Sequence, residues 1–241
     1  MIDTRGLKVV TVGCTGGSGS RLLRDILEAS PQIFMDRDYS PNSKDSQKSK
    51  SFLELKDPGP EIVKRLIDEF MQTILAQIPM GEETRYKYFG WKNPRTRRYA
   101  DLLLHEYPDL RFLHLVRNPA VIARGSLWKR GFKRRVAMNK LKQDADRDEL
   151  ILTRWANQNL PMWKKYRDHP NYLMVRYEDI VNRPQQSVEL IFDWLDIADY
   201  DMNAALAAIA PPADAMTRGH DVDVSIIAEA IQQLGYDHRL S

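Results

Sequence analysis

The sequence predicts an α/β fold of three layers, a central parallel sheet flanked by helices. Three observations lead there. Lys8 to Gly13 (KVVTVG) is a short β-branched run that passes through a Gly-rich turn into a helical pattern at Leu22. Two further short apolar runs, Arg111 to Val116 (RFLHLV) and Tyr172 to Val175 (YLMV), have the length and bounds of buried strands. Helical patterns separate all three, and strands that alternate with helices pair in parallel.

In chain order, Leu22 to Ala29 carries the apolar spacing of the first helix. Asp36 to Ser51 (DRDYSPNSKDSQKSKS) is polar, with Pro, Ser and Lys, and reads as a loop. Pro60 to Ile78 is a helical pattern. Pro94 to Glu106 is another, entered through Trp91-Lys92-Asn93-Pro94. Asn118-Pro119 opens a helix expected to run past Trp128, because Pro is tolerated in a first turn. Glu149 to Tyr166 and Pro184 to Leu195 are helical, Ile209 to Val222 is loop-like, and Ser225 to Leu234 is a last helix. There is no internal repeat and no boundary, so one domain over residues 1–241 is expected.

The 241 residues are 43% hydrophobic and 29% charged, which excludes wholesale disorder. A single cysteine, Cys14, excludes a disulfide scaffold and suits a reducing compartment. No apolar run approaches the roughly 18 residues of a membrane span, and MIDTRGLKVV has no signal-peptide core. A cytoplasmic protein is therefore expected. The net charge of +3 is too small to argue for nucleic acid.

The most informative segment is Gly13 to Ser20 (GCTGGSGS). Gly16, Gly17 and Gly19 lack Cβ atoms, so backbone amides can converge on an anion. Ser18 and Ser20 add hydroxyls, the helix beginning near Arg21 turns its positive end to the same point, and Arg21 and Arg24 add charge. A Walker A loop would end in Gly-Lys-Ser/Thr, whereas this one ends Gly19-Ser20-Arg21, and the G-x-G-x-x-G spacing is not met. Phosphoryl transfer from a nucleoside triphosphate calls for lysine and magnesium. A sulfuryl group carries one negative charge, so backbone donors, hydroxyls and one or two cations can manage its transfer. The five histidines are scattered, none at a ligand spacing, and no metal is expected.

Four segments in order resemble the sulfotransferases that use 3′-phosphoadenosine 5′-phosphosulfate (PAPS), in the bacterial type and the tyrosylprotein enzymes. They are Gly16-Gly17-Ser18-Gly19-Ser20-Arg21-Leu22-Leu23, like the 5′-phosphosulfate loop; Gly90-Trp91-Lys92-Asn93-Pro94-Arg95, like the K-x-P segment; Phe112 to Ser126, like the 3′-phosphate motif; and Val175-Arg176-Tyr177-Glu178-Asp179-Ile180 with Pro184 beyond, like the RYEDL…P segment. The resemblance covers roughly residues 7 to 200. It implies a P-loop-like fold, PAPS as donor and PAP as product. It also implies Arg117 on the 3′-phosphate and Lys92 on the bridging oxygen, roles that suit a guanidinium fork and a point charge. The partner serine of that motif falls at Gly125, with Ser126 one residue later. Tyr177 contacts the nucleotide or packs. Arg218-Gly219 is similar to a C-terminal element that caps the 3′-phosphate.

An acceptor hydroxyl must lose its proton, so a base is expected. His105 and His114 fall in a helix and a strand, and His114 reads as a satisfied core residue. In the branch of the family that uses a glutamate after the first helix, the matching position is Asp38, with Asp36 two residues earlier on the same side of an extended stretch. Lys129, Arg130, Lys133, Arg134, Arg135, Lys140 and Lys142 form a basic cluster, for which nucleic acid is one reading, a solvated face a second, and attraction of the donor or an acidic acceptor a third. Tyr39, Trp128 and Phe132 could line an acceptor pocket for a small-molecule, carbohydrate or peptide hydroxyl. Two alternatives stand beside the sulfotransferase: a kinase with an unusual loop, and a non-catalytic nucleotide- or anion-binding module.

Overall fold

A computed structural model of the chain describes residues 3–36, 59–125, 133, 146–211, 216 and 218–236. Five strands form one sheet: β1 (Lys8–Cys14), β2 (Ile33–Asp36), β3 (Tyr88–Lys92), β4 (Leu110–Val116) and β5 (Tyr172–Arg176). Their order is β2-β3-β1-β4-β5, and every neighbouring pair is parallel. The three-layer α/β expectation holds. Two strands lie outside the sequence reading. β2 occupies the start of the stretch read as following the first helix, and β3 includes Trp91-Lys92, read as the entry to a helix.

Each face of the sheet is buried by its own helices. Alternation sends Val10, Val12 and Cys14 of β1 to one side, where they pack with Leu23, Ile26 and Leu27 of α1 (Ser20–Leu27). Val188, Ile191 and Phe192 of a later helix, Pro184–Trp194, complete that layer. Val9, Phe89, Trp91 and Phe112 face the other way. They meet Ile67, Phe70, Met71 and Ile74 of α2 (Pro60–Leu75) and Leu103 of α3 (Ala100–Glu106). A third cluster joins α4 (Pro119–Ala123) to the first half of α5 (Arg147–Tyr166) and to the C-terminal Ile227, Ile231 and Leu234. α4 stops well short of Trp128, because Arg124 and Gly125 close it with carbonyl bonds back to Ala120 and Ile122. Beyond β5 run α6 (Tyr177–Asn182), α7 (Pro184–Trp194), α8 (Met202–Ala207) and α9 (Ala228–Gln233).

Gly90 fixes the β1–β3 pairing. It lies opposite Val10, and a Cβ there would stand 1.8 Å from the Val10 carbonyl oxygen. No other residue allows the two strands to approach so closely. The same register sets Lys92 opposite Val12, two residues before β1 ends at Cys14.

Candidate active site

The carboxyl ends of β1, β3 and β4 share one edge, where open parallel sheets bind ligands, and most of the predicted residues gather there. β1 ends at Cys14, and Thr15 to Gly19 turn the chain into α1. The Thr15 carbonyl closes the turn by accepting from the Ser18 N–H at 3.2 Å and the Ser18 hydroxyl at 2.7 Å. The Ser18 hydroxyl, buried, therefore braces the loop from within. Gly17 and Gly19 have φ of 96° and 87°, in the left-handed region. Gly19 caps α1 without a side-chain acceptor, and the first turn holds no acidic residue, so the positive helix end stays exposed to an anion. Arg21 is exposed on that turn.

Tyr177 and Arg117 pack directly on this loop. A Cβ at Gly19 would lie 2.6 Å from the Tyr177 ring. The Arg117 guanidinium stands 4.0 Å over the same ring, and its Nη1 donates to the Gly17 carbonyl at 3.3 Å. Arg117 is only 9% exposed; burial lowers its pKa and Arg218 pushes the same way, while Tyr177 and Glu178 oppose them. Glu178 accepts from the Asn118 N–H at 2.9 Å and from the Tyr236 hydroxyl at 2.9 Å, and burial holds its pKa up. The turn bearing Arg218 reaches this place through Gly219, whose absent Cβ would sit 2.4 Å from the Ala120 carbonyl oxygen. The short Arg218-Gly219 match thus lands beside Arg117.

Lys92 ends β3 and is part-buried. Burial lowers its pKa, with Arg24 and Arg21 acting in the same direction against Cys14 and Asp25. The lysine therefore lies on the α1 side, among the cations of the loop. Cys14 is buried and hydrogen-bonded to Ser20; burial drives its pKa up to about 11, so the thiol is neutral and inert.

Asp36 ends β2 in register with Trp91, the neighbour of Lys92. Alternation turns it to the α2 face, where the Gln77 amide donates to Oδ1 at 3.3 Å, opposite the face that Lys92 takes. Asp38, Ser126, Tyr39, Trp128 and Phe132 lie outside the described residues, as does the basic cluster except for Lys133, which is exposed. His114 is fully buried with both ring nitrogens bonded, to the Tyr172 hydroxyl at 2.6 Å and the Asn159 side-chain oxygen at 2.9 Å. It is the core residue that the sequence suggests. Among the described residues no cluster of His, Cys, Asp or Glu could hold a metal, and no helix is long and apolar enough to cross a membrane.

Sequence reasoning passes over two residues. Arg97 follows Lys92 on the 3₁₀ turn Pro94–Tyr99, and its Nε is buried with no hydrogen-bond partner among the described residues. Burial and the cations Arg98 and Arg154 lower its pKa to about 10. The run Arg95-Thr96-Arg97-Arg98 carries that signal in the sequence. Asn159 and its helix meet the loop at Thr15, a contact across 144 positions that no local pattern reveals.

The edge so built carries a glycine turn, a helix start without a side-chain cap and several converging cations, an arrangement suited to a polyanion. Comparison with known proteins gives the same direction. The model of the sulfotransferase family matches residues 10–201. Among curated proteins, the omega-hydroxy-beta-dihydromenaquinone-9 sulfotransferases Stf3 of Mycobacterium bovis and Mycobacterium tuberculosis are 22% identical over 200 residues. That match covers 77% of this chain and 50% of theirs, so the chain spans about half the length of these relatives. Among solved structures, the sulfotransferase domain from the curacin biosynthetic pathway matches with a TM-score of 0.58 at 16% identity, over 96% of this chain and 98% of that one. The Alicyclobacillus acidocaldarius sulfotransferase gives 0.53 at 16% identity, over 96% of each chain. A mouse sulfotransferase complexed with PAP gives 0.53 at 18% identity, over 87% of this chain and 66% of that one. These likenesses share the P-loop-like fold, and the family match runs from the middle of β1 to beyond α7. The chain belongs to the sulfotransferase family.

Proposed function

We propose that this protein moves a sulfuryl group from PAPS to a hydroxyl or amine acceptor by metal-independent in-line transfer, as a single cytoplasmic domain. The observation that carries this reading is the meeting of Lys92, the uncapped start of α1 and Arg117 on one edge of the sheet of a family member.

The residues divide the work by position. Amides of Gly16, Gly17, Gly19, Ser20 and Arg21 hold the 5′ end, with Ser18 shaping the loop from inside. Arg117 and Arg218 hold the 3′-phosphate, with Ser126 a further donor and Tyr177 bracing Arg117. Lys92 stabilises the charge that develops on the bridging oxygen as the sulfur–oxygen bond breaks and its electron pair returns to the 5′-phosphate. The acceptor oxygen forms the new bond to sulfur, and its proton passes to Asp38 or Asp36. Asp36 can serve only by leaving the Gln77 amide. The acceptor is a small-molecule, carbohydrate or peptide group.

The test is transfer of labelled sulfate from PAPS across a panel of hydroxylated metabolites, sugars and tyrosine peptides, with and without a chelator. The reading predicts turnover of at least one acceptor, unchanged by chelation and lost in Lys92→Ala. Turnover that survives in Lys92→Ala, or that stops with the chelator, contradicts it.

A further inference from the structure

Two of the segments that face the proposed donor are also bonded from behind by one helix face. We propose that Trp155 and Asn159 on α5 are positioning residues that set the two ends of the donor site, the loop at Thr15 and the strand end at Arg117, at a fixed spacing. The proposal rests on the donor reading above.

Asn159 is fully buried and every polar atom of its side chain is bonded. Its Nδ2 stands 2.8 Å from the Trp155 carbonyl, which can only accept, so the amide orientation is fixed. The other Nδ2 hydrogen goes to Thr15 Oγ1 at 3.2 Å. Oδ1 then accepts from His114 Nε2 at 2.9 Å, which places the ring proton there and leaves Nδ1 to accept from the Tyr172 hydroxyl at 2.6 Å. Thr15 passes its own hydroxyl hydrogen to Gln158 Oε1 at 3.2 Å. The chain Tyr172, His114, Asn159, Thr15, Gln158 is thus directional, with each donor matched to an acceptor.

This chain ends on the hinge of the loop. Thr15 is 1% exposed, and its carbonyl takes both bonds from Ser18 that give the turn its shape. Four residues before Asn159, on the same face of α5, Trp155 Nε1 donates to the Arg117 carbonyl at 2.9 Å. α5 therefore touches both ends of the site through neutral groups that present no charge to a ligand. A helix recruited only to cover apolar strands would need neither bond, because Trp155 already packs in an apolar cluster.

The test uses Asn159→Leu, which keeps the branched shape, and Trp155→Phe, which keeps an aromatic ring of smaller size, each removing one bond set, with thermal unfolding reporting the packing cost. Hydrogen exchange of the amides from Gly16 to Ser20 is measured in the ligand-free proteins, with thermal unfolding as the control for folding. Calorimetry then compares adenosine 5′-monophosphate with adenosine 3′-monophosphate. Asn159→Leu is expected to speed loop exchange about tenfold and to weaken the 5′-nucleotide about tenfold while sparing the 3′-nucleotide. Trp155→Phe is expected to do the reverse for the nucleotides. Unchanged loop exchange in Asn159→Leu, or equal weakening of both nucleotides in step with the loss of thermal stability, overturns the proposal. Faster loop exchange in a protein whose parent binds neither nucleotide leaves the strut standing and overturns the donor reading instead.

Discussion

Lys92 shows how a single side chain acquires a role from its neighbours. Held at the end of β3 among Arg21 and Arg24 and partly buried, it is kept below the usual lysine pKa and gains most when negative charge appears beside it. Lys92→Ala is expected to lower kcat by about 10²–10³-fold while PAP affinity stays within a few-fold, read by single-turnover transfer and calorimetry. Equal losses in both would make Lys92 a binding residue only. Gly19 is constrained from two sides, by φ of 87° and by the Tyr177 ring 2.6 Å from where a Cβ would stand. Gly19→Ala should cost about 1–3 kcal/mol in urea unfolding and should weaken PAP, because Tyr177 must shift and Arg117 lies over it. A stable variant with full affinity would show the loop and the ring to be independent.

At the scale of elements, the sequence made some parts plain and hid others for physical reasons. β1, β4 and β5 are β-branched or apolar runs with clear bounds, and the glycine turn after β1 marks α1 without ambiguity. β2 is only four residues, Ile33–Asp36, too short for a period to be counted. β3 is hidden because Tyr88-Phe89-Gly90-Trp91-Lys92 contains a glycine and runs straight into Asn93-Pro94, which is a helix-entry signal. The Asn93 side chain does cap the 3₁₀ turn after it, accepting from the Arg95 N–H at 2.8 Å, so the helix-entry signal is genuine and the strand lies immediately before it. Gly90 is the residue on which β3 turns. Gly90→Ala should break the β1–β3 pairing at Val10 and cost at least about 3 kcal/mol, seen as lost thermal stability together with lost transfer, since Lys92 rides on that register. A variant with unchanged stability would place the strands further apart than described.

Across the whole molecule, the donor side was legible because its residues sit in four short segments whose chemistry survives being read locally. The supporting side was not, since Trp155, Asn159 and His114 meet the site only through the packing of α5 on the sheet. That packing leaves a mark on stability. His114, neutral in the folded protein with its pKa lowered by burial from 6.5 to about 4, binds a proton more readily in the unfolded chain. The unfolded state therefore takes up this proton as pH falls below 6.5, and the histidine's own contribution should lower stability by up to about 3 kcal/mol by pH 4, with no further change from this group below that. Urea unfolding of the parent and of His114→Gln across that window isolates the effect; parallel curves would mean the histidine is not shielded. That the loop and the Arg117 strand end together grip a bisphosphorylated adenosine is checked by calorimetry of PAP against adenosine 5′-monophosphate in the parent protein and in Arg117→Met. PAP is expected to bind at least about a hundredfold more tightly than the monophosphate, and the difference to disappear in the variant. Equal affinity for the two nucleotides in the parent, or an advantage of PAP that persists without Arg117, would contradict it.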